Sequence, residues 1–120
     1  MAWIYNVITK KFSRNGDYKF SAEYAGSPGY KDNPDDECVK NKGLLPRGNY
    51  HITGPIAVHP TAGRYVIRLT PHSGNSMCGR EGFLIHGGNG RGTASNGCII
   101  LMRGYREKII ESGDKELIVQ

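Results

Sequence analysis

Trp3, Tyr5 and Val7 alternate with Ile4, Asn6 and Ile8, the period of two that predicts a strand at the head of the chain. Asn15-Gly16 then gives a strong hairpin signal, and Tyr18–Tyr24 alternates apolar and polar residues as a return strand with one buried and one wet face. From Gly26 to Gly43 the periodicity dissolves into polar residues, Pro28, Pro34 and the acidic cluster Asp35-Asp36-Glu37, predicting a long surface loop of the kind that often carries function. Leu44–Gly48 turns into a short strand at Asn49–Ile52, which Gly54-Pro55 is expected to break. Arg64–Leu69 predicts another strand, a polar loop follows from Thr70 to Glu81, and the apolar runs Phe83–Ile85 and Ile99–Leu101 predict two more. Tyr105, Ile109 and Ile110, with Met102 just before, fit one face of a short helix capped by Gly113, and Glu116–Val119 reads as a terminal strand. The sum is a mainly β fold, an antiparallel β-sandwich or open barrel with one short helix near the C-terminus, in a single domain spanning residues 1–120.

Composition agrees with strands and turns: 38% of the 120 residues are hydrophobic and 17 are glycine. No apolar stretch approaches the roughly 20 residues that cross a bilayer. Met1–Asn6 lacks a basic n-region and a continuous apolar stretch, so no signal peptide is expected. The net charge of +5 suits an anionic partner such as nucleic acid, cell-wall polymer or anionic membrane. The basic residues are dispersed, Lys10-Lys11 being the longest run, and no aromatic residues interleave with them as in a base-stacking platform, so nucleic acid is not the expected partner. Three cysteines, Cys38, Cys78 and Cys98, allow one disulfide and one free thiol. A Cys38–Cys78 bridge between two polar loops and three unpaired thiols both satisfy that count.

The segments Phe83-Leu84-Ile85-His86-Gly87-Gly88-Asn89 and Ser95-Asn96-Gly97-Cys98-Ile99-Ile100-Leu101 carry the candidate chemistry. A cysteine nucleophile needs a base within hydrogen-bond reach and donors for the developing oxyanion. His86, delivered by an apolar strand into a glycine-rich loop, would be the base, and Cys98, at a loop–strand junction, the nucleophile. The thiol pKa would have to fall below about 8.5 for useful thiolate at neutral pH. A backbone carbonyl or Asn89 would orient the imidazole, since no carboxylate stands near His86 in sequence. Two other readings stay open. In a structural metal module, His72, Cys78, His86 and Cys98 would be ligands, although no Cys-x-x-Cys pair is present. In a non-catalytic wall- or nucleic-acid-binding β module, Cys98 would be a small core residue.

His-Gly followed by Ser-Asn-Gly-Cys resembles the YkuD-like L,D-transpeptidase signature, a His-Gly followed by Ser/Thr-His-Gly-Cys. Tyr24-Ala25-Gly26, Asn33-Pro34, Gly43–Tyr50, Gly79-Arg80 and Phe83–Gly87 extend the resemblance to the small type VI secretion effectors of this superfamily, in patches from about residue 3 to 118. The resemblance implies the L,D-transpeptidase catalytic-domain type of fold. It also implies L,D-carboxypeptidase activity and D-amino acid exchange on peptidoglycan stem tetrapeptides, without a cofactor. Carried over by position, Cys98 is the nucleophile, His86 the base, the Gly87 carbonyl the orienting group, and the amides around Gly97 the oxyanion hole. Arg80, Asn89, Ser95 and Asn96 are the implied substrate-binding residues. The family's histidine before Gly-Cys is Asn96 here, and its arginine two residues after the cysteine is Ile100; Arg80 would replace that cation and hold a substrate carboxylate. The same resemblance implies a monomeric antibacterial toxin with a cognate immunity protein and no membrane insertion. It would be made in the bacterial cytoplasm, exported without a signal peptide, and active in the target-cell periplasm.

Overall fold

The structure, a computed structural model, describes residues 2–89 and 95–120. Strands β1 (Trp3–Tyr5), β2 (Lys11–Arg14), β3 (Asp17–Ser21), β4 (Tyr24–Ala25), β5 (Gly48–His59), β6 (Gly63–Pro71), β7 (Phe83–His86) and β8 (Ile99–Ile100) precede helix α1 (Arg103–Glu111) and strand β9 (Glu116–Val119). The described strands form one sheet in the order β3-β2-β1-β9-β5-β6-β7-β8-β4. Among the described residues only β1–β9 and β7–β8 pair in parallel, so the predicted antiparallel character holds for the rest.

The two edge strands, β3 and β4, are separated in sequence only by Ala22 and Glu23. With two residues between them the strand ends can lie at most about 11 Å apart, so the sheet has to curl until its edges come close. The link itself bridges both sides: the Ala22 amide donates to the Lys10 carbonyl and the Glu23 amide to the Ile100 carbonyl, each at 2.8 Å. The result is an open barrel-like sheet, as the alternating pattern predicts.

Local chemistry explains where the strands stop. Asn15 and Gly16 adopt φ of 56° and 82°, the left-handed pair that a tight hairpin between β2 and β3 requires. The predicted first strand is cut short by a turn: the Asn6 side chain accepts from the amides of Ile8 and Thr9 at 2.9 and 3.0 Å, and the chain doubles back into β2. The predicted clean alternation of the return strand fails at Tyr18, which is 59% exposed, while Phe20 is buried. Gly54-Pro55 does not end its strand. β5 runs through it as an irregularity in the pairing with β6 between Thr53 and Ile56, which accommodates a proline that has no amide to donate.

Side chains on the inner face build the core, among them Trp3, Tyr5, Phe12, Ile52, Ile67, Ile85, Ile99 and Leu117. Each such large side chain contributes about 1.5–3 kcal/mol on burial. Helix α1 closes this core with Ile109, while Tyr105 stacks on Phe20 at 4.4 Å between ring centroids. Gly113, with φ of 75°, terminates the helix as predicted, its amide reaching the Ile110 carbonyl. The Gly26–Gly43 stretch is the expected long loop, holding one short 3-10 turn at Pro34–Asp36. A Cys38–Cys78 disulfide, with Cα atoms 5.3 Å apart, ties that loop to the segment between β6 and β7 and leaves Cys98 free.

Candidate active site

Strand β7 is buried along its whole length because it is paired on both sides, antiparallel to β6 and parallel to β8. Its register, Ile85 beside Ile99 and His86 beside Ile100, places Cys98 beside Leu84. Strand alternation then sends the Cys98 and His86 side chains to the same face, opposite to core residues Ile85 and Ile99. Both line one cavity of about 620 Å³. The two sequence segments that hold the candidate chemistry therefore meet as neighbouring strand ends.

The imidazole of His86 is fixed by its Nδ1, 2.9 Å from the Gly87 carbonyl. A carbonyl only accepts, so Nδ1 carries the proton and Nε2 keeps its lone pair. Burial pushes the His86 pKa down; the Gly87 carbonyl opposes this, and neighbouring Arg106 and His59 reinforce it. The neutral base form is thus the resting form near neutral pH. A Cβ on Gly87 would lie 3.0 Å from Arg106 Nη2, so a side chain there would push the guanidinium aside. Arg106, reaching from α1, also donates to the Arg64 and Tyr65 carbonyls at 3.0 and 2.8 Å.

The partly buried Cys98 thiol behaves differently from the sequence expectation of a lowered pKa. Burial pushes it up, outweighing the Leu84 amide that donates to the sulfur and the positive charge of Arg80. The Gly82 carbonyl stands 4.0 Å from Sγ, at the limit for a thiol donor. The thiol and the imidazole, each pushed by burial toward its neutral form, line the same cavity.

The Ser-Asn-Gly-Cys loop is held from inside. Ser95, 1% exposed, accepts from the amides of Gly26 and Gly97 at 3.0 Å each through its Oγ and donates to the Cys98 carbonyl at 2.7 Å. Its expected substrate contact is replaced by a loop-organising role, because the hydroxyl has no exposed surface left. The Gly97 amide points at Ser95 rather than into the cavity, which does not match the oxyanion donor expected of it. Gly97 is required for another reason: with φ of 133°, a Cβ there would collide with the Arg80 guanidinium and the Gly43 carbonyl.

Arg80 differs most from its expected part. It is 7% exposed, and its terminal nitrogens donate to the backbone carbonyls of Glu37 and Leu44 (Nη1) and of Gly43 and Asn96 (Nη2). The guanidinium fork that was to clasp a substrate carboxylate clamps the long loop to the cysteine loop instead. Asn96 is exposed and lines the cavity, whereas Asn89 is exposed and lies outside the lining residues. The remainder of the glycine-rich stretch, residues 90–94, lies outside the described residues.

The metal set read from sequence does not assemble. Cys78 is in the disulfide, and His72 Nε2 faces Glu116 Oε2 at 2.8 Å. Several cavity residues had no role assigned from sequence, among them Lys40, His59 and Arg68. Arg68 had a signal, as an outward polar position in the alternating β6 pattern. Lys40 and His59 had none, because only the folded loop and the far end of β5 bring them to the cavity.

No curated protein sequence matches the chain. Among solved structures, the crystal structure of Mycobacterium tuberculosis L,D-transpeptidase 1 is similar, with a TM-score of 0.53 at 18% identity. That match covers 99% of this chain and 60% of that one, so this chain spans 60% of that protein's length, and the likeness is one of fold. A family model described as the Tlde1 domain matches residues 19–117, from β3 through the cysteine loop to β9. The chain belongs to the Tlde1 domain family of type VI secretion effectors, within the YkuD-like L,D-transpeptidase superfamily.

Proposed function

We propose that this protein is a cysteine L,D-carboxypeptidase and L,D-transpeptidase acting on peptidoglycan stem tetrapeptides. One observation carries the reading: Cys98 and a neutral His86, oriented by the Gly87 carbonyl, share one face of a parallel strand pair and one cavity. Nε2 of His86 takes the thiol proton as Sγ attacks the carbonyl of the diaminopimelate L-centre. With the Gly97 amide engaged by Ser95, the Cys98 amide is the donor assigned here to the resulting oxyanion. Collapse of the tetrahedral species breaks the C–N bond, and the imidazolium returns the proton to the departing D-alanine amine. The thioester then passes its acyl group either to water, releasing a tripeptide, or to the amine of a D-amino acid, exchanging the terminus.

The cavity lining supports an anionic substrate: Lys40 and Arg68 join Arg80 there, against Glu81. With Arg80 committed to carbonyls, Arg68 and Lys40 are the cations available to substrate carboxylates. In this reading the protein is a monomeric antibacterial toxin, delivered to the target periplasm and held harmless in its producer by an immunity protein. The deciding experiment incubates tetrapeptide muropeptides with wild type and with Cys98→Ala, with and without added D-amino acids, followed by mass spectrometry. Loss or exchange of D-alanine by wild type alone is expected. Retention of D-alanine in both conditions sinks the reading.

A further inference from the structure

On the outer face of the sheet, three adjacent chain segments each contribute one metal-ligating side chain. His51 of β5 and Glu116 of β9 are a cross-strand pair. His72 follows β6 directly, and its amide donates to the Asn49 carbonyl at 3.0 Å, placing it diagonally beside His51. The buried neighbours Tyr50 and Leu117 take the opposite face, so alternation leaves His51 and Glu116 pointing outward. His51 Nδ1 is 3.2 Å from Glu116 Oε1, and His72 Nε2 is 2.8 Å from Glu116 Oε2. The two imidazoles stack at 3.9 Å, and one ligand atom from each of the three residues falls within a 4.8 Å cluster.

We propose that His51, His72 and Glu116 form a binding site for a divalent transition-metal ion of the zinc class. Zinc–ligand bonds of about 2.0–2.2 Å put tetrahedral ligand atoms about 3.3 Å apart, close to the present spacing, and binding would swing the exposed His51 ring out of its stack on His72 so that both nitrogen lone pairs converge on the ion. Two imidazoles with one carboxylate select zinc, cobalt, nickel or copper over calcium and magnesium, which take all-oxygen sets. Exposure of the cluster leaves the fourth position to water. Backbone pairing of β5 with β6 and β9 pre-positions all three residues, which limits the ordering that binding requires. His72 is also the first residue after β6, in the segment that holds the disulfide-bonded Cys78 and carries Arg80 to the cavity wall. A bound ion would fasten the root of that segment to two sheet strands. The site is separate from His86 and Cys98 and stands whether or not these are catalytic.

The test uses the full, tag-free chain carrying Cys98→Ser, which removes the free thiol as a competing ligand. Zn²⁺ titration by calorimetry should give one ion per chain, and Co²⁺ should give the visible absorption of a low-coordinate site. His51→Gln and His72→Gln should each weaken Zn²⁺ binding at least tenfold while leaving the melting temperature in EDTA close to that of the parent. His51 is the most exposed of the three, so its variant carries the test if the His72 variant does not fold. Absence of Zn²⁺ and Co²⁺ binding at millimolar metal, or affinity unchanged in the folded variants, overturns the proposal.

Discussion

Ser95 Oγ donates to the Cys98 carbonyl at 2.7 Å while accepting the Gly97 amide at 3.0 Å, so a buried hydroxyl three residues earlier holds the peptide on either side of the free cysteine. Ser95→Ala leaves two buried amides, those of Gly26 and Gly97, without their acceptor. The expected loss is about 2–4 kcal/mol of stability, read from urea unfolding. D-alanine release should fall as well, because the cysteine loop loses its internal brace. An unchanged denaturation midpoint contradicts the bracing role.

Arg80 joins two loops through carbonyl contacts, and its removal leaves the buried carbonyls of Gly43 and Leu44 without donors. Arg80→Ala should cost about 3 kcal/mol in stability. Arg68→Ala, in contrast, should leave the melting temperature nearly unchanged and raise KM for the tetrapeptide several-fold. The opposite pattern, with Arg80→Ala stable and raised in KM, would restore Arg80 as the carboxylate clasp.

The pH profile follows from the two shifts. His86 acts as base only when neutral, and burial, with Arg106 and His59, holds its pKa below the ordinary imidazole value. The acid limb of kcat/KM should therefore lie below about pH 6.5. Arg106→Gln removes a positive charge beside the imidazole, so it should move that limb upward in pH. Burial pushes the Cys98 thiol up, so alkylation by iodoacetamide in the absence of substrate should keep rising beyond about pH 8.5. A reactivity plateau already reached at neutral pH would instead indicate a preformed thiolate–imidazolium pair.

The Cys38–Cys78 bridge closes a sequence separation of 40 residues. A crosslink of that span stabilises by up to about 4 kcal/mol through the unfolded chain. The Cys38→Ser/Cys78→Ser double variant should lose about 2–4 kcal/mol in thermal or urea unfolding. It should also lose tetrapeptide turnover, since both bridged segments supply cavity residues, Lys40 on one side and Arg80 on the other. Equal stability of variant and parent would assign the bridge no part in holding the loops.

Period-two alternation made most strands legible, because a half-buried strand needs apolar side chains on one face only. Asn15-Gly16 marked its hairpin through the left-handed backbone it tolerates, and Gly113 marked the helix end for the same reason. His86 and Cys98 stood out because each ends or precedes an apolar run beside glycine. Local pattern misjudged Gly54-Pro55, where pairing with β6 on both sides carries the strand across a residue that breaks isolated strands. It also missed the turn at Asn6, since a side-chain acceptor there leaves no mark on hydrophobic periodicity.

By itself, the sequence determined where most strands lie, the terminal helix, the long loop and the two segments that meet in the candidate site. These depend on short-range backbone preference and on which residues avoid water. Tertiary structure alone decided that Cys38 pairs with Cys78 and that Arg80 serves carbonyls rather than a ligand. It decided too that Ser95 is sealed inside, and that His51, His72 and Glu116 share one patch. Each depends on which distant segments the curled sheet brings together, and a side chain's partners exist only once those segments have met.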